Sequence, residues 1–192
     1  MKYYILFGPP GAGKGTHAGA IASKYNLKHI STGELLRAEI AAGTELGLQA
    51  KELIAAGSLV PDEVVEGMIE SAFNTIKGVD GFLLDGFPRT LAQAEALDAI
   101  VAKRGEKVNG VISIMIPDSL VYERIAGRAK IEGRADDASP EVITHRIQTY
   151  HAQTEPLIEY YKAAGNYYEV AGYPGTIEEN RARVLALVET IC

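Results

Sequence analysis

Apolar residues concentrate in five short segments, from the unbroken Tyr3–Phe7 to Leu27–Ile30 with its two polar residues, and between them lie longer stretches where apolar and polar positions recur at helical spacing. The runs are Tyr3–Phe7, Leu27–Ile30, Gly81–Asp85, Val108–Ile116 and Tyr167–Val170. Continuous runs of this length read as strands buried on both faces of a sheet. The intervening pattern predicts a helix over Lys14–Tyr25, then a pair over Glu34–Ala42 and Glu45–Ala56, divided at Gly43-Thr44 and ended by Gly57. Pro61-Asp62-Glu63 opens another, with proline and acids in its first turn. Leu91–Lys103 follows a Thr90-x-x-Gln93 capping box, and Pro117-Asp118 starts a helix over Ser119–Arg128. Polar Ala129–Ser139, with Gly133 and two aspartates, reads as a loop. Pro140 starts a helix that carries Arg146 and meets Pro156, and Thr176-x-x-Glu179 caps a C-terminal helix.

Strands alternating with helices imply right-handed crossovers and a parallel sheet covered on both faces. The expected fold is therefore α/β: three layers, with a parallel five-stranded sheet in the middle. Such folds bind ligands beyond the carboxyl ends of their strands. Gly8, Asp85 and Pro117 stand at three such ends.

A chain of 192 residues fits one domain, and 47% hydrophobic with 23% charged residues is an ordinary globular balance. Its single cysteine, Cys192, excludes an internal disulfide and a cysteine-held zinc or iron–sulfur site, and a reducing, cytoplasmic location fits. The apolar start is too short for a signal peptide or a membrane helix. A net charge of −6 argues against non-specific binding to nucleic acid or membranes. An anionic ligand would need a local basic site, so the positions of the arginines matter.

Gly8-Pro9-Pro10-Gly11-Ala12-Gly13-Lys14 fits G-x-x-x-x-G-K between a strand and a helix. Glycines let successive N–H groups converge on phosphate oxygens, the helix N-terminus adds partial positive charge, and Lys14 adds a full one. This P-loop marks a nucleoside triphosphate site. The next residue is ordinarily a Ser or Thr that ligates magnesium, whereas here Gly15 precedes Thr16, so no direct protein–Mg²⁺ bond is assigned at that position. A triphosphate still needs Mg²⁺, and Asp85 at a strand end is the residue expected to orient its waters. The bland alternative for Asp85 is a turn cap.

Arg37, Arg89, Arg124, Arg128, Arg134 and Arg146 form the candidate cationic set. Phosphoryl transfer needs in-line positioning and charge stabilisation rather than covalent help, and guanidinium groups supply both. Arg124 and Arg128 share a helix face at i, i+4. Arg104, Arg181 and Arg183 read as ordinary solvated charges.

Seven segments in register resemble the motif series of adenylate kinases. They are Gly8–Thr16, Ser31–Arg37, Gly57–Asp62, Asp85–Thr90 with Gln93, Arg124-x-x-x-Arg128, Gly133-Arg134-x-Asp136-Asp137, and Arg146. Gly15 belongs to that family's pattern. The resemblance implies transfer of a phosphoryl group from ATP to AMP with Mg²⁺ and without zinc, in a chain that is usually a monomer. It implies that Gly11, Ala12, Gly13, Lys14, Gly15, Thr16, Arg124, Arg128 and Gly175 hold ATP. AMP would lie against Thr32, Gly33, Arg37, Ser58, Leu59, Val60, Gly86, Phe87, Pro88, Arg89 and Gln93. Arg134 and Arg146 would bridge both substrates, so Lys14, Arg89, Arg128, Arg134 and Arg146 become the catalytic set. Residues 31–60 would be a helical AMP-binding insertion and 128–138 a short lid within one domain, 1–192. Glu34 stands where the family usually has Asp, which keeps the charge.

Two alternatives compete. UMP/CMP kinases also have the short lid, but typically carry Ala at the position of Thr32 and Asn at that of Thr90; Gln93 also suits adenine. A nucleotide-driven switch would carry Asn-Lys-x-Asp after a strand, and Pro117-Asp118-Ser119 follows Val111–Ile116 instead. Gln93 itself is either the capping-box partner of Thr90 or a contact to adenine, the latter favoured by the resemblance. Phe87-Pro88 reads as an ordinary trans turn, with a cis bond that aims Arg89 as the alternative. His17, His29, His145 and His151 receive no catalytic role, and the C-terminal tyrosines read as packing.

Overall fold

The computed structural model describes residues 1–134, 137 and 139–192. Its sheet has the order β2-β3-β1-β4-β5, all parallel: β1 (Lys2–Phe7), β2 (Leu27–Ser31), β3 (Gly81–Asp85), β4 (Val108–Met115) and β5 (Tyr167–Ala171). β1 lies at the centre, and every residue after Lys2 is buried, which is why its sequence shows no alternation. Tyr3, Ile5 and Phe7 join Phe82 and Leu84 in the core on one face, and Tyr4 and Leu6 join Leu83, Ile112 and Ile114 on the other.

The first face is covered by α4 (Asp62–Thr75), α5 (Leu91–Ala102) and α8 (Leu157–Ala164), through Ile69, Phe73, Leu97 and Leu157. The second is covered by α1 (Lys14–Lys24), α6 (Asp118–Glu132) and α9 (Ile177–Ile191), through Ile21, Val121, Ile125, Val184 and Val188. α2 (Thr32–Ala42) and α3 (Glu45–Ala55) form the helical pair between β2 and α4, and α7 (Pro140–Thr149) follows the polar stretch.

Two departures from the sequence reading are informative. α6 continues past Arg128 to Glu132, so Ala129–Glu132 is helix rather than loop. Its polarity is that of a solvated helix end, and the turn is deferred to Gly133, whose φ of 60° suits glycine. Residues 135, 136 and 138, part of the expected lid, lie outside the described residues. The α-helix begun at Pro140 ends at Thr149 and does not itself reach Pro156. A wide π turn, Tyr150–Thr154, with Glu155 N–H donating to the Tyr150 carbonyl at 2.8 Å, carries the chain into α8. Pro156, which has no N–H to give, stands at the N-cap of α8.

The parallel register sets Leu6 and Ser31 level with Asp85. Three strands therefore release their chains at one height, into Gly8, Thr32 and Gly86. The Phe87–Pro88 and Tyr173–Pro174 peptides are cis, so the trans reading of the former is corrected.

Candidate active site

The glycine loop is built from its backbone outward. Gly8 has φ 132°, and a β-carbon there would sit 2.4 Å from the Ile114 carbonyl oxygen on β4, so no side chain fits. Ala12 N–H donates to the Pro9 carbonyl at 3.1 Å, and α1 starts at Lys14. Lys14 Nζ donates to the carbonyls of Gly8 (2.9 Å) and Pro9 (3.0 Å). Withdrawal from water lowers its pKa; Asp85 pulls back, and Arg89, Arg146 and Arg128 reinforce the fall, to about 8.

Asp85 faces this lysine. Burial alone would raise its pKa, but His29, Lys14 and Arg89 outweigh burial and hold the carboxyl below its ordinary value. His29 Nε2 lies 3.5 Å from Asp85 Oδ2. A β-carbon on Gly15 would meet that oxygen at 3.8 Å, an ordinary contact, so the residue after the lysine lies beside the carboxylate.

A cavity of about 810 Å³ opens over the loop. Gly11, Gly13, Lys14, Gly15 and Thr16 of the loop line it together with Arg37, Arg89, Arg124, Arg128, Arg134 and Arg146, and with Gly172, Gly175 and Ile177 from the chain after β5. A second cavity adjoins it, lined by Thr32, Gly33, Arg37, Ser58, Leu59, Val60, Gly86, Arg89, Gln93 and Arg146. Gly33, Arg37, Arg89 and Arg146 line both, so the two cavities meet at a guanidinium cluster.

The arginines are held, not loose. Arg124 donates to the carbonyls of Gly11 (3.3 Å), Ala12 (3.5 Å) and Gly172 (3.1 Å), which ties the loop to the chain after β5. Arg128 grips Asp137 with two bonds, Nε to Oδ2 at 2.7 Å and Nη2 to Oδ1 at 2.9 Å. Arg146 donates to the same Oδ1, and the Asp137 carboxylate is fully buried between the two. Arg134 pairs with Glu132. Arg89 Nε donates to the Gly86 carbonyl at 2.8 Å, and Thr154 Oγ1 donates to the Arg89 carbonyl at 2.7 Å.

Some expected contacts are of a different kind. Phe87 is 1% exposed and packs in the core, Ala12 is likewise buried, and Pro88 lines a small neighbouring cavity with Lys14 and Tyr150 rather than the one holding Gln93. Any contact by Phe87 or Ala12 would be through backbone. Thr32 Oγ1 donates to the Gly86 carbonyl at 2.9 Å. Gln93 does not close a reciprocal capping box: Thr90 Oγ1 accepts from Gln93 N–H at 3.2 Å, but the Gln93 side chain bonds Arg89 and Asp62 instead. Asp62 and Asp137 stand in the motifs named from sequence but received no role there, and Thr154 was not singled out. The first had been absorbed by its helix-start pattern, and the other two act only through contacts made by folding.

The family model for adenylate kinase matches residues 6–166. The chain belongs to the adenylate kinase family. It is 48% identical to the adenylate kinase of Stenotrophomonas maltophilia (strain R551-3), over 96% of this chain and 98% of that one. Identity is 46% to the adenylate kinase of Xanthomonas campestris pv. campestris (strain 8004), over 94% and 95% of the two chains. The adenylate kinase of Xylella fastidiosa (strain 9a5c) is also 46% identical, over 94% and 96%. Like these phosphotransferases, this family member is read as an enzyme acting on nucleotides. None of its helices, among the described residues, is long and apolar enough to cross a membrane.

Proposed function

We propose that the chain catalyses ATP + AMP ⇌ 2 ADP, with Mg²⁺ carried on the triphosphate. One observation supports this over a single-nucleotide reading: two cavities, one floored by the glycine loop and one by Thr32–Val60 and Gly86–Gln93, converge on Arg37, Arg89 and Arg146. A phosphoryl group passing between nucleotides would cross at that cluster.

In this reading Gly11–Thr16 and Arg124 hold the donor, with Gly175 at its base end. Thr32, Gly33, Arg37, Ser58–Val60, Gly86–Arg89 and Gln93 hold the acceptor. Lys14, Arg89, Arg128, Arg134 and Arg146 fix the phosphates in line and stabilise charge in the transition state. The acceptor phosphate has a second pKa near ~6 and is mostly ionised at neutral pH, so its oxygen attacks without a general base. No histidine is required. Segments 31–60 and 128–138 close over the reactants and keep water from taking the phosphoryl group.

Asp85 suits a hydrated cation. Its carboxylate stays ionised beside Lys14, it borders the donor cavity, and no cluster of three acids, histidines or cysteines exists among the described residues to hold a metal directly. When bound, Mg²⁺ would offset phosphate charge. Asp85→Asn is expected to raise the Mg²⁺ concentration for half-maximal rate several-fold, and an unchanged requirement would remove Asp85 from that role. The reading also takes the chain as a monomer, as the family resemblance implies, in a reducing, cytoplasmic compartment, which its lone cysteine fits.

Turnover with AMP, CMP and UMP tests the function. AMP should be fastest; faster CMP turnover would favour the pyrimidine alternative, and no AMP-dependent ADP formation would leave only a nucleotide-binding role.

A further inference from the structure

Gln93 is 2% exposed, lines the acceptor cavity, and has its amide fixed at both ends. Its Oε1 accepts from Arg89 N–H at 2.7 Å, and its Nε2 donates to Asp62 Oδ1 at 2.7 Å. Asp62 comes from the first turn of α4, 31 residues away in sequence. Thr90 Oγ1 accepts from Gln93 N–H at 3.2 Å and points its own proton towards Asp62 Oδ1 at 3.4 Å, so the carboxylate is kept in place from a second side.

These partners leave the amide one orientation. A backbone N–H only donates and a carboxylate only accepts, so reversing the amide would set donor against donor and acceptor against acceptor. Held this way, Gln93 retains one N–H on Nε2 and one lone pair on Oε1. That pair matches an adenine edge, where the 6-amino group donates beside a ring nitrogen that accepts. A 6-oxopurine presents an acceptor at the same place, and would be met correctly only by a reversed amide.

We propose that Asp62 is a specificity-determining positioning residue: by fixing the Gln93 amide in one orientation it makes the acceptor site select a 6-aminopurine over a 6-oxopurine. The inference rests on the reading above in which AMP is the acceptor and Gln93 meets its base. Asp62 touches no substrate and acts through Gln93.

The test compares kcat/KM for AMP and IMP, two acceptors that differ only at the purine edge, with ATP saturating. Asp62→Ala frees the amide to rotate and should lower the AMP-over-IMP ratio about tenfold, the worth of one well-made hydrogen bond. The loss should lie mainly in KM for AMP, with KM for ATP unchanged. Asp62→Asn keeps an oxygen that accepts from Nε2 and should retain most of the selectivity. Asp62→Leu fills the same space without an acceptor and should behave as Asp62→Ala, and it carries the test if the alanine variant does not fold. A ratio unchanged in whichever of these two folds overturns the proposal. Gln93→Ala separates the two readings. If it abolishes selectivity while the Asp62 variants keep it, Asp62 is not the determinant. If it leaves selectivity intact, Gln93 does not read the base, and the underlying assignment fails instead.

Discussion

Lys14 spends its described hydrogen bonds on its own loop, on the carbonyls of Gly8 and Pro9. Its pKa, lowered to about 8 by burial and by neighbouring arginines, gives donor binding a pH dependence. Below pH 8 the free site already carries the lysine charge. Above it the lysine is neutral, and binding a polyphosphate must first take up a proton, because a bound anion raises the pKa again. ATP affinity should therefore fall up to about tenfold per pH unit above pH 8, until the bound-state pKa is reached. Calorimetry at pH 7, 8 and 9 measures this, and a flat profile would mean that the lysine keeps its charge. Arg134, at the lip of the donor cavity, has a different signature. Its replacement by alanine should reduce kcat by about 10²-fold with KM within a few-fold, because charge stabilisation is needed only in the transition state. An unchanged kcat would remove it from the reaction.

Two helical glycines separate propensity from packing. Gly67, exposed on α4, has nothing within 4 Å of where a β-carbon would be. Gly67→Ala should stabilise the protein by roughly 0.5–1 kcal/mol, read as a higher Tm. Gly47 on α3 lies against α2, and a β-carbon there would fall 2.1 Å from the Glu39 carbonyl oxygen. The same substitution at Gly47 should destabilise by about 1–3 kcal/mol and raise KM for AMP, since α2 and α3 would have to part. A Tm rise at both positions would show that α2 and α3 tolerate separation. The sequence made the central strands visible because buried parallel strands are near-continuous apolar runs, whereas the edge strands β2 and β5 are partly exposed and carry polar residues. It misled where polarity was taken for a loop, at Ala129–Glu132, and where one helix was carried from Pro140 to Pro156. Both errors have one cause: a short local pattern does not reveal which side of a helix faces water, or how a wide turn absorbs a proline.

The whole site draws on chain ends that only the sheet brings together. Gly8, Thr32 and Gly86 leave level strands, and α6 and α7 add Arg128 and Arg146 from more than a hundred residues downstream of the loop. The phosphate-binding loop and the arginines could be named from sequence because glycine spacing and guanidinium chemistry are distinctive. The buried Asp137 between Arg128 and Arg146, and the hold of Asp62 on Gln93, could not, because each exists only through contacts between distant segments. If segments 31–60 and 128–138 close together, two adenosines joined by a phosphate chain should slow amide hydrogen exchange in both at once. Protection of only one would separate the two closures.

The bonds of Lys14 to its own loop also bear on how the protein resists cleavage. A loop whose lysine is bonded to Gly8 and Pro9, and whose Ala12 N–H is bonded to Pro9, is braced by its own backbone carbonyls. Such a loop offers proteases no slack chain at the mouth of the cleft, and limited proteolysis should spare it.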